Sequence, residues 1–205
     1  MKTLQAVFAG ILLIGPSIAF AQPVAQGTYN NVTYIAVLAS SGITWTAAAT
    51  NAAAMGGQLA SITSAAENQF IYSLTTANPS LWAAFSGGGI GPWLGGYKQG
   101  GTWHWTDGAA FSYSNWATYQ PDNYGGNENY IQYYSPGPAA MANTWNDAPN
   151  DTTGDPNHVG VPNPHGYIVE IVPEAGSINL FLLGAAVCVI YRFRKGVINA
   201  AARRA

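Results

Sequence analysis

The sequence predicts one α+β domain in the middle of a 205-residue chain. Two helical segments follow a first strand, glycine-rich strands and loops fill the remainder, and a last strand closes the domain. At roughly 100 to 200 residues per domain, the length allows one such unit plus a segment at each end. The first and last strands are expected to pair.

The first half of this domain contains the two predicted helices. Residues 28–38 (TYNNVTYIAVL) are rich in β-branched and aromatic residues, which is typical of a strand at the edge of a sheet. Residues 44–55 are alanine-rich and precede a Gly-Gly pair, so they predict a helix with a glycine stop. Ser64 and Glu67 form a capping box that starts the second helix.

The second half is predicted to contain strands and one long loop. Trp93-Leu94 and the alternating residues 102–106 predict strands, and residues 165–172 predict the last one. Residues 110–165 are polar, contain several prolines and show little periodicity. A loop of this length is either disordered or a binding surface. Its tryptophans favour a binding surface, because disordered chains are poor in aromatic residues.

The N-terminal residues 1–21 have the features of a signal peptide. They carry Lys2, an apolar run from Ala6 to Ile14, and the small-x-small triplet Ala19-Phe20-Ala21. The mature protein is expected to begin near Gln22.

The C-terminal residues 173–205 predict a sorting segment with a membrane helix. The seventeen residues 175–191 carry no charge, and a basic tail follows at once. This length is the lower limit for a membrane helix, and the basic tail is expected to stay cytoplasmic. A buried core helix is the alternative. With Val172-Pro173-Glu174, the pattern resembles the PEP-CTERM sorting signal of exported bacterial proteins, although Ala175 stands where that signal has a second proline.

The charge of the predicted mature domain argues against nucleic acid as a partner. The whole chain has a formal net charge of −2, but residues 22–174 contain nine acidic residues against Lys98 alone, which gives −8. Such a domain repels phosphate backbones and attracts cations. The single cysteine, Cys188, lies in the predicted membrane helix, so no disulfide can form within the chain.

Residues 120–130 (QPDNYGGNENY) are unusually rich in side-chain oxygens, and a second short segment offers more. The candidate oxygen donors are Gln120, Asp122, Glu128, Asn146 and Asp147. Carboxylate and amide oxygens are the ligands that Ca²⁺ prefers. Residues 120–130 contain no histidine or cysteine, so a zinc or copper site is not expected there. The sequence therefore predicts a Ca²⁺ site.

Several segments in a fixed order resemble the C-type lectin-like domain family over about residues 28–172. They are the two-helix segment 44–71, WLGGY, WHWTDGAAFSYSNW, Gln-Pro-Asp, Trp-Asn-Asp and GYIVE. The resemblance implies two short helices, small antiparallel sheets and a long Ca²⁺-binding loop region. It assigns residues 22–172 to the lectin-like domain.

In that family the site follows the pattern x-Pro-x, a glutamate eight residues after the first position, and Asn-Asp after a tryptophan. The resemblance implies that the Ca²⁺ ligands are Gln120, Asp122, Glu128, Asn146 and Asp147. All of them except Asp147 would also hydrogen-bond a sugar, Tyr124 would pack on its apolar face, and Pro121 would follow a cis peptide bond. Gln-Pro-Asp is similar to the galactose-type site, whereas Glu-Pro-Asn marks the mannose type.

The chain departs from the family at its disulfides and loops. The usual cysteine positions correspond to Ala52 or Ala53 paired with Val169, and to Tyr130 paired with Asn150. Losing a disulfide typically costs a small secreted domain about 2 to 5 kcal/mol. Apolar packing at Val169 against the first helix and bound Ca²⁺ are expected to offset part of this cost. Residues 133–144 and 148–166 form longer loops than the shortest in the family, and both border the site.

These features predict Ca²⁺-dependent binding of galactose-type glycans or exopolysaccharide by an exported bacterial envelope protein. The alternative is an adhesion or matrix module that Ca²⁺ stabilises and that binds a protein partner without sugar. Catalysis is disfavoured, because no nucleophile with its base accompanies the carboxylates. His158, Asp151 and Asp155 are interpreted as solvated loop residues, with an auxiliary Ca²⁺ site at the two aspartates as the alternative.

Overall fold

Two α-helices pack on a mixed sheet in the computed structural model, which describes residues 21–85, 88–136 and 141–173. The helices are α1 (Trp45–Ala54) and α2 (Ala65–Thr76). Within these residues the strands are β1 (Gln22–Tyr29), β2 (Val32–Leu38), β3 (Gln58–Leu59), β4 (Ala83–Phe85), β5 (Gly88–Gln99), β6 (Thr102–Trp105), β7 (Tyr130–Pro136), β8 (Thr144–Ala148) and β9 (Gly166–Ile171). The strand order is β1-β2-β9-β5-β7-β8, with β3 beside β9 and with β4 and β6 beside β5. The predicted α+β class is confirmed.

The prediction of a single strand over residues 28–38 is wrong, because a turn divides it. Asn30 and Asn31 have φ values of 47° and 65°, and they connect β1 to β2 in an antiparallel hairpin. Asparagine tolerates this left-handed region better than most residues, so the Asn-Asn dipeptide is the signal for the turn. β2 pairs with β9, which confirms that the two ends of the domain lie side by side.

Both helices lie where the sequence predicts them, and each begins at a side-chain cap. Thr44 Oγ1 accepts a hydrogen bond from a first-turn amide of α1 at 3.3 Å, and Gly56 follows the helix with φ of 79°. Ser64 Oγ accepts a hydrogen bond from the Glu67 amide at 3.2 Å. The Glu67 carboxylate accepts another from the Tyr34 hydroxyl at 2.5 Å. This last contact ties α2 to β2.

Apolar packing occupies one pair of positions that the resemblance assigns to cysteines in the family. Ala52 in α1 and Val169 in β9 are fully buried in a cluster with Trp45 and Trp93. The two indole N–H groups donate to backbone carbonyl oxygens at 2.8 and 2.7 Å. The predicted packing of Val169 against the first helix is therefore confirmed.

The prediction of one long loop over residues 110–165 is wrong, because β7 and β8 lie inside it and pair antiparallel. Residues 131–133 of β7 are buried in succession. A strand covered on both faces shows no two-residue alternation of polar and apolar residues, so periodicity could not reveal it. The hairpin of β7 and β8 provides the scaffold for the predicted site.

The two predicted targeting segments fall outside the described ranges, which leave out residues 1–20 and 174–205. Among the residues that are described, no helix has the length and apolar character needed to cross a membrane.

Candidate metal and ligand-binding site

The two segments that carry the predicted ligands meet at one end of the β7–β8 hairpin. Residues 120–128 lead into β7, and Asp147 is the next-to-last residue of β8. Tyr130 pairs with Ala148 and Ile131 with Asp147. In such an antiparallel pair, the start of one strand lies beside the end of the other. The register therefore brings the acidic residues of the two segments together.

Three carboxylates converge at this end of the hairpin. One carboxylate oxygen from each of Asp122, Glu128 and Asp147 lies within 4.8 Å of the other two. Asp147 is fully buried and Glu128 is 3% exposed, whereas Asp122 is exposed. The group therefore has a buried side and a side open to solvent.

Backbone amides of the loop before β7 hold the two buried carboxylates. The amides of Asp122 and Asn123 donate to Asp147 Oδ1 and Oδ2, each at 3.1 Å. The amide of Tyr124 donates to Glu128 Oε2 at 2.6 Å. Asn123 has a left-handed φ of 50°, which turns the chain so that consecutive amides face inward. The loop is thus folded around Glu128 and Asp147.

The amide residues Gln120 and Asn146 lie beside the carboxylates. Gln120 Oε1 accepts a hydrogen bond from the Asp122 amide at 3.2 Å, and Asn146 Nδ2 donates to the carbonyl oxygen of Asp147. The Gln120–Pro121 peptide bond is cis, as predicted. All five predicted ligands therefore belong to one neighbourhood. That they bind one cation together stays a prediction.

Burial and mutual repulsion disfavour ionisation of the two inner carboxylates. The pKa of Glu128 rises from 4.5 to about 9, first because the group is buried and then because of the negative charge of Asp147. Burial also raises the pKa of Asp147, although hydrogen bonds from the loop amides oppose this effect. A cation beside such groups would favour their ionised forms.

The donor set fits a hard cation. The three carboxylates and two amides all offer oxygen, and Ca²⁺ accepts six to eight such ligands, including oxygens from a bound molecule. Structural zinc sites use sulfur or nitrogen donors, mostly four in number, which this set does not offer. The residues present therefore suit Ca²⁺.

Two exposed tyrosines flank the Gln-Pro-Asp triplet. Tyr124, the predicted sugar-contact residue, is 59% exposed, and Tyr119 is 90% exposed. The ring of Tyr124 meets the ring of His158 edge to face, with centroids 5.5 Å apart at 87°. An aromatic ring held open beside a polar cluster offers an apolar face to a ligand.

The prediction that His158 and Asp155 are solvated is wrong. The His158 side chain is only 10% exposed, and its Nε2 lies 2.9 Å from Glu128 Oε1. Asp155 is 7% exposed and accepts a hydrogen bond from Asn127 Nδ2. The Asp-x-x-His spacing could have marked these two residues as a pair. Nothing in that spacing identifies Glu128 as their partner.

The Asp151 carboxylate forms hydrogen bonds within its own loop. Its Oδ1 accepts hydrogen bonds from the Thr153 hydroxyl at 2.7 Å and from Asn163 Nδ2 at 2.9 Å. Within the described part of the chain, the carboxylate group of Asp122, Glu128 and Asp147 is the one cluster of histidine, cysteine or acidic residues close enough to hold a metal ion. The alternative of an auxiliary site at the two loop aspartates gains no support.

Comparison with known proteins gives the family of the chain. The family described as "Lectin C-type domain" matches residues 41–154. Ladderlectin of Oncorhynchus mykiss is 37% identical over 86 residues, or 41% of this chain and 42% of ladderlectin. The alpha-N-acetylgalactosamine-specific lectin of Patiria pectinifera is 41% identical over 73 residues, or 33% of this chain and 38% of that lectin. The chain thus spans less than half the length of these curated relatives.

A solved structure shares the fold. The Ca²⁺-dependent type II antifreeze protein, in its Ca²⁺-free form, has a TM-score of 0.53 to this chain at 24% sequence identity. The match covers 72% of this chain and 98% of the antifreeze protein. At that identity the likeness concerns the fold alone.

Proposed function

Because the chain belongs to the C-type lectin domain family, we propose that it binds carbohydrate through a Ca²⁺ ion. The observation that carries the proposal is the convergence of three carboxylates, two of them buried, at one end of the β7–β8 hairpin. The lectins among the relatives support carbohydrate binding in general. The proposed Ca²⁺ ligands are Gln120, Asp122, Glu128, Asn146 and Asp147.

Each side chain has its own part in this proposal. Buried Glu128 and Asp147 supply carboxylates that bound Ca²⁺ would keep ionised, exposed Asp122 supplies a third carboxylate, and the two amides add neutral oxygens. Bound Ca²⁺ would offer open coordination positions to two neighbouring sugar hydroxyls. An amide NH₂ can donate to a hydroxyl oxygen while a carboxylate accepts the hydroxyl proton. Amide and acid are therefore needed in pairs.

The order of these pairs leads us to propose a galactose-type ligand. Gln120 precedes Asp122, which is the reverse of the acid and amide order in the mannose-type Glu-Pro-Asn. The reversal exchanges the donor and acceptor sides that a pair of hydroxyls meets. The exposed ring of Tyr124 supports the same choice, because galactose-type ligands present an apolar face to an aromatic residue. Charge-assisted hydrogen bonds of about 1.5 to 3 kcal/mol each would orient the sugar.

We also propose that the protein is exported. Residues 1–21 would be removed as a signal peptide, residues 22–172 would form the binding domain, and residues 173–205 would act as a PEP-CTERM sorting signal and membrane anchor before any processing. The partner would then be a glycan or exopolysaccharide at the envelope. Extracellular Ca²⁺ sites need dissociation constants of only about 10⁻⁴ to 10⁻³ M, which an oxygen-only site can supply.

Isothermal titration with galactose and with mannose tests this function. We expect heat with galactose in CaCl₂, weaker heat with mannose, and none with either sugar in EDTA. Asp122→Ala should raise the Ca²⁺ concentration needed for sugar binding. The control is Asp107→Ala, at an exposed acid in the turn after β6, which should leave it unchanged.

Two results would count against the proposal in different ways. Ca²⁺ binding without a chelator-sensitive response to any sugar would favour the adhesion module with a protein partner. Absence of Ca²⁺ binding at millimolar concentration would remove both forms of the proposal.

A further inference from the structure

A segment outside the predicted ligand set packs against the site. The outer segment (residues 149–165) meets the site loop (residues 120–130) at successive points. A side-chain carbon at Gly125 would lie 2.7 Å from Asn157 Nδ2, so glycine is what permits this close approach. Asp155 accepts a hydrogen bond from an asparagine of the site loop. The outer segment therefore forms a wall of the site.

His158 is the residue of the outer segment that contacts the carboxylate cluster. Its Nε2 lies 2.9 Å from Glu128 Oε1, while the amide of Tyr124 donates to the other oxygen, Glu128 Oε2. Its Nδ1 lies 3.5 Å from Asp155 Oδ2. When Glu128 is ionised it can only accept, so the imidazole must donate through Nε2. One ring nitrogen thus faces a predicted Ca²⁺ ligand and the other faces a carboxylate of the wall.

The same imidazole packs against the predicted sugar platform. Its ring and that of Tyr124 meet at 87° with centroids 5.5 Å apart, which is the edge-to-face arrangement that stabilises aromatic pairs. Tyr124 is 59% exposed, so this contact restricts a ring that solvent alone would leave free to rotate. Restricting it before a ligand arrives lowers the entropy cost of binding.

We propose that His158 is a positioning residue that couples the cation site to the sugar platform. Its N–H orients Glu128 for the cation, and its ring orients Tyr124 for the ligand. The inference rests on the proposed function. Residues that hydrogen-bond a metal ligand from behind fix its orientation, and their loss typically lowers metal affinity by about 10- to 100-fold. If His158 only filled space, its effect on Ca²⁺ affinity could not be separated by substitution from its effect on sugar affinity.

Two substitutions separate the N–H from the ring. His158→Phe keeps a ring beside Tyr124 but removes the donor to Glu128, and His158→Gln keeps a donor but removes the ring. For His158→Phe we expect Ca²⁺ affinity to fall by about tenfold or more, with sugar affinity near wild type once Ca²⁺ is saturating. For His158→Gln we expect Ca²⁺ affinity near wild type and sugar affinity lowered by about threefold.

The measurement is isothermal titration of the full chain, first with CaCl₂ alone and then with galactose at saturating CaCl₂. Urea unfolding of each variant in EDTA reports any loss of stability separately. The control is His104→Ala, on an exposed strand residue of β6, which should change neither affinity.

The outcomes distinguish this inference from the proposed function. Wild-type Ca²⁺ affinity in His158→Phe, or equal losses in both variants, would overturn the positioning role and leave the lectin function standing. Failure of the wild-type protein to bind Ca²⁺ would overturn both. Separation of the two effects between the two variants supports the coupling.

Discussion

Glu128→Gln is expected to stabilise the protein in EDTA and to remove most of its stabilisation by Ca²⁺. The folded protein raises the pKa of Glu128 from 4.5 to about 9, so the folded state holds a proton that the unfolded chain releases at a much lower pH. Since the folded state binds more protons over this interval, the free energy of unfolding falls as pH rises through it. Glutamine cannot ionise and removes that fall.

The size of the effect follows from the pKa shift. Each pH unit between the two pKa values changes the free energy of unfolding by about 1.4 kcal/mol per proton. From pH 4.5 to pH 8 the loss in the wild type reaches a ceiling of about 5 kcal/mol. The side-chain amide that Glu128→Gln introduces can still accept from the Tyr124 amide and donate to His158 in its other tautomer. We therefore expect Glu128→Gln to be more stable than wild type at pH 8, with this ceiling as the upper limit of the gain.

The assay is urea unfolding of wild type and Glu128→Gln at pH 5, 6.5 and 8, in EDTA and in CaCl₂. In EDTA the difference between the two proteins should grow with pH. At a Ca²⁺ concentration of 100 times the dissociation constant, the wild type should gain about 2.7 kcal/mol, and the variant should gain much less. A variant that is less stable than wild type in EDTA at pH 8, or equally stabilised by Ca²⁺, would refute the reasoning.

Two further predictions concern Glu170 in β9 and Gly125 in the site loop. Burial raises the pKa of Glu170 to about 7. Glu170→Gln should therefore become more stable than wild type as pH rises from 5 to 8, by up to about 3 kcal/mol. A stability difference in urea unfolding that does not change with pH would contradict this. Gly125→Ala should lose more stability than the matched variant Gly126→Ala. Both glycines have φ above 70°, so alanine at either position should lower the free energy of unfolding by about 1 to 2 kcal/mol. Only a side chain at Gly125 would also meet Asn157. Gly125→Ala should also weaken Ca²⁺ binding, and equal effects of the two variants would contradict the contact.

Local signals made the helices predictable. Thr44 and Ser64 are cap residues whose side chains hold first-turn amides, and Gly56 adopts the left-handed φ that a helix stop requires. These contacts join residues within a few positions of one another, so a short stretch of sequence is enough to predict them. The turn at Asn30-Asn31 is equally local. Its signal was present, but the β-branched residues on both sides favoured one continuous strand.

The strands of the site were harder to predict because their burial is set by distant segments. β7 is buried on both faces, which erases the alternation that identifies a strand from sequence. The carboxylate cluster depends on the pairing of β7 with β8, and spacing alone does not fix that register. The sequence identified the five candidate ligands by their side-chain oxygens, and the resemblance to a family pattern assigned them to one site. Their neighbourhood in the fold agrees with that pattern.

The role of His158 could not be predicted from its spacing in the sequence. The prediction of a solvated histidine followed from its place in a polar, proline-containing stretch. Its contact with Glu128 depends on the path of the outer segment, which connects β8 to β9. When a long connection brings a residue to the site, its distance in sequence from the other site residues is not fixed, so sequence spacing cannot identify it.

The most direct test of the account is a crystal structure of the protein grown with CaCl₂. The account predicts one Ca²⁺ ion in contact with carboxylate oxygens of Asp122, Glu128 and Asp147, with His158 still hydrogen-bonded to Glu128. It would be contradicted if these three carboxylates contacted no ion at a Ca²⁺ concentration well above about 10⁻³ M, the upper range of extracellular sites.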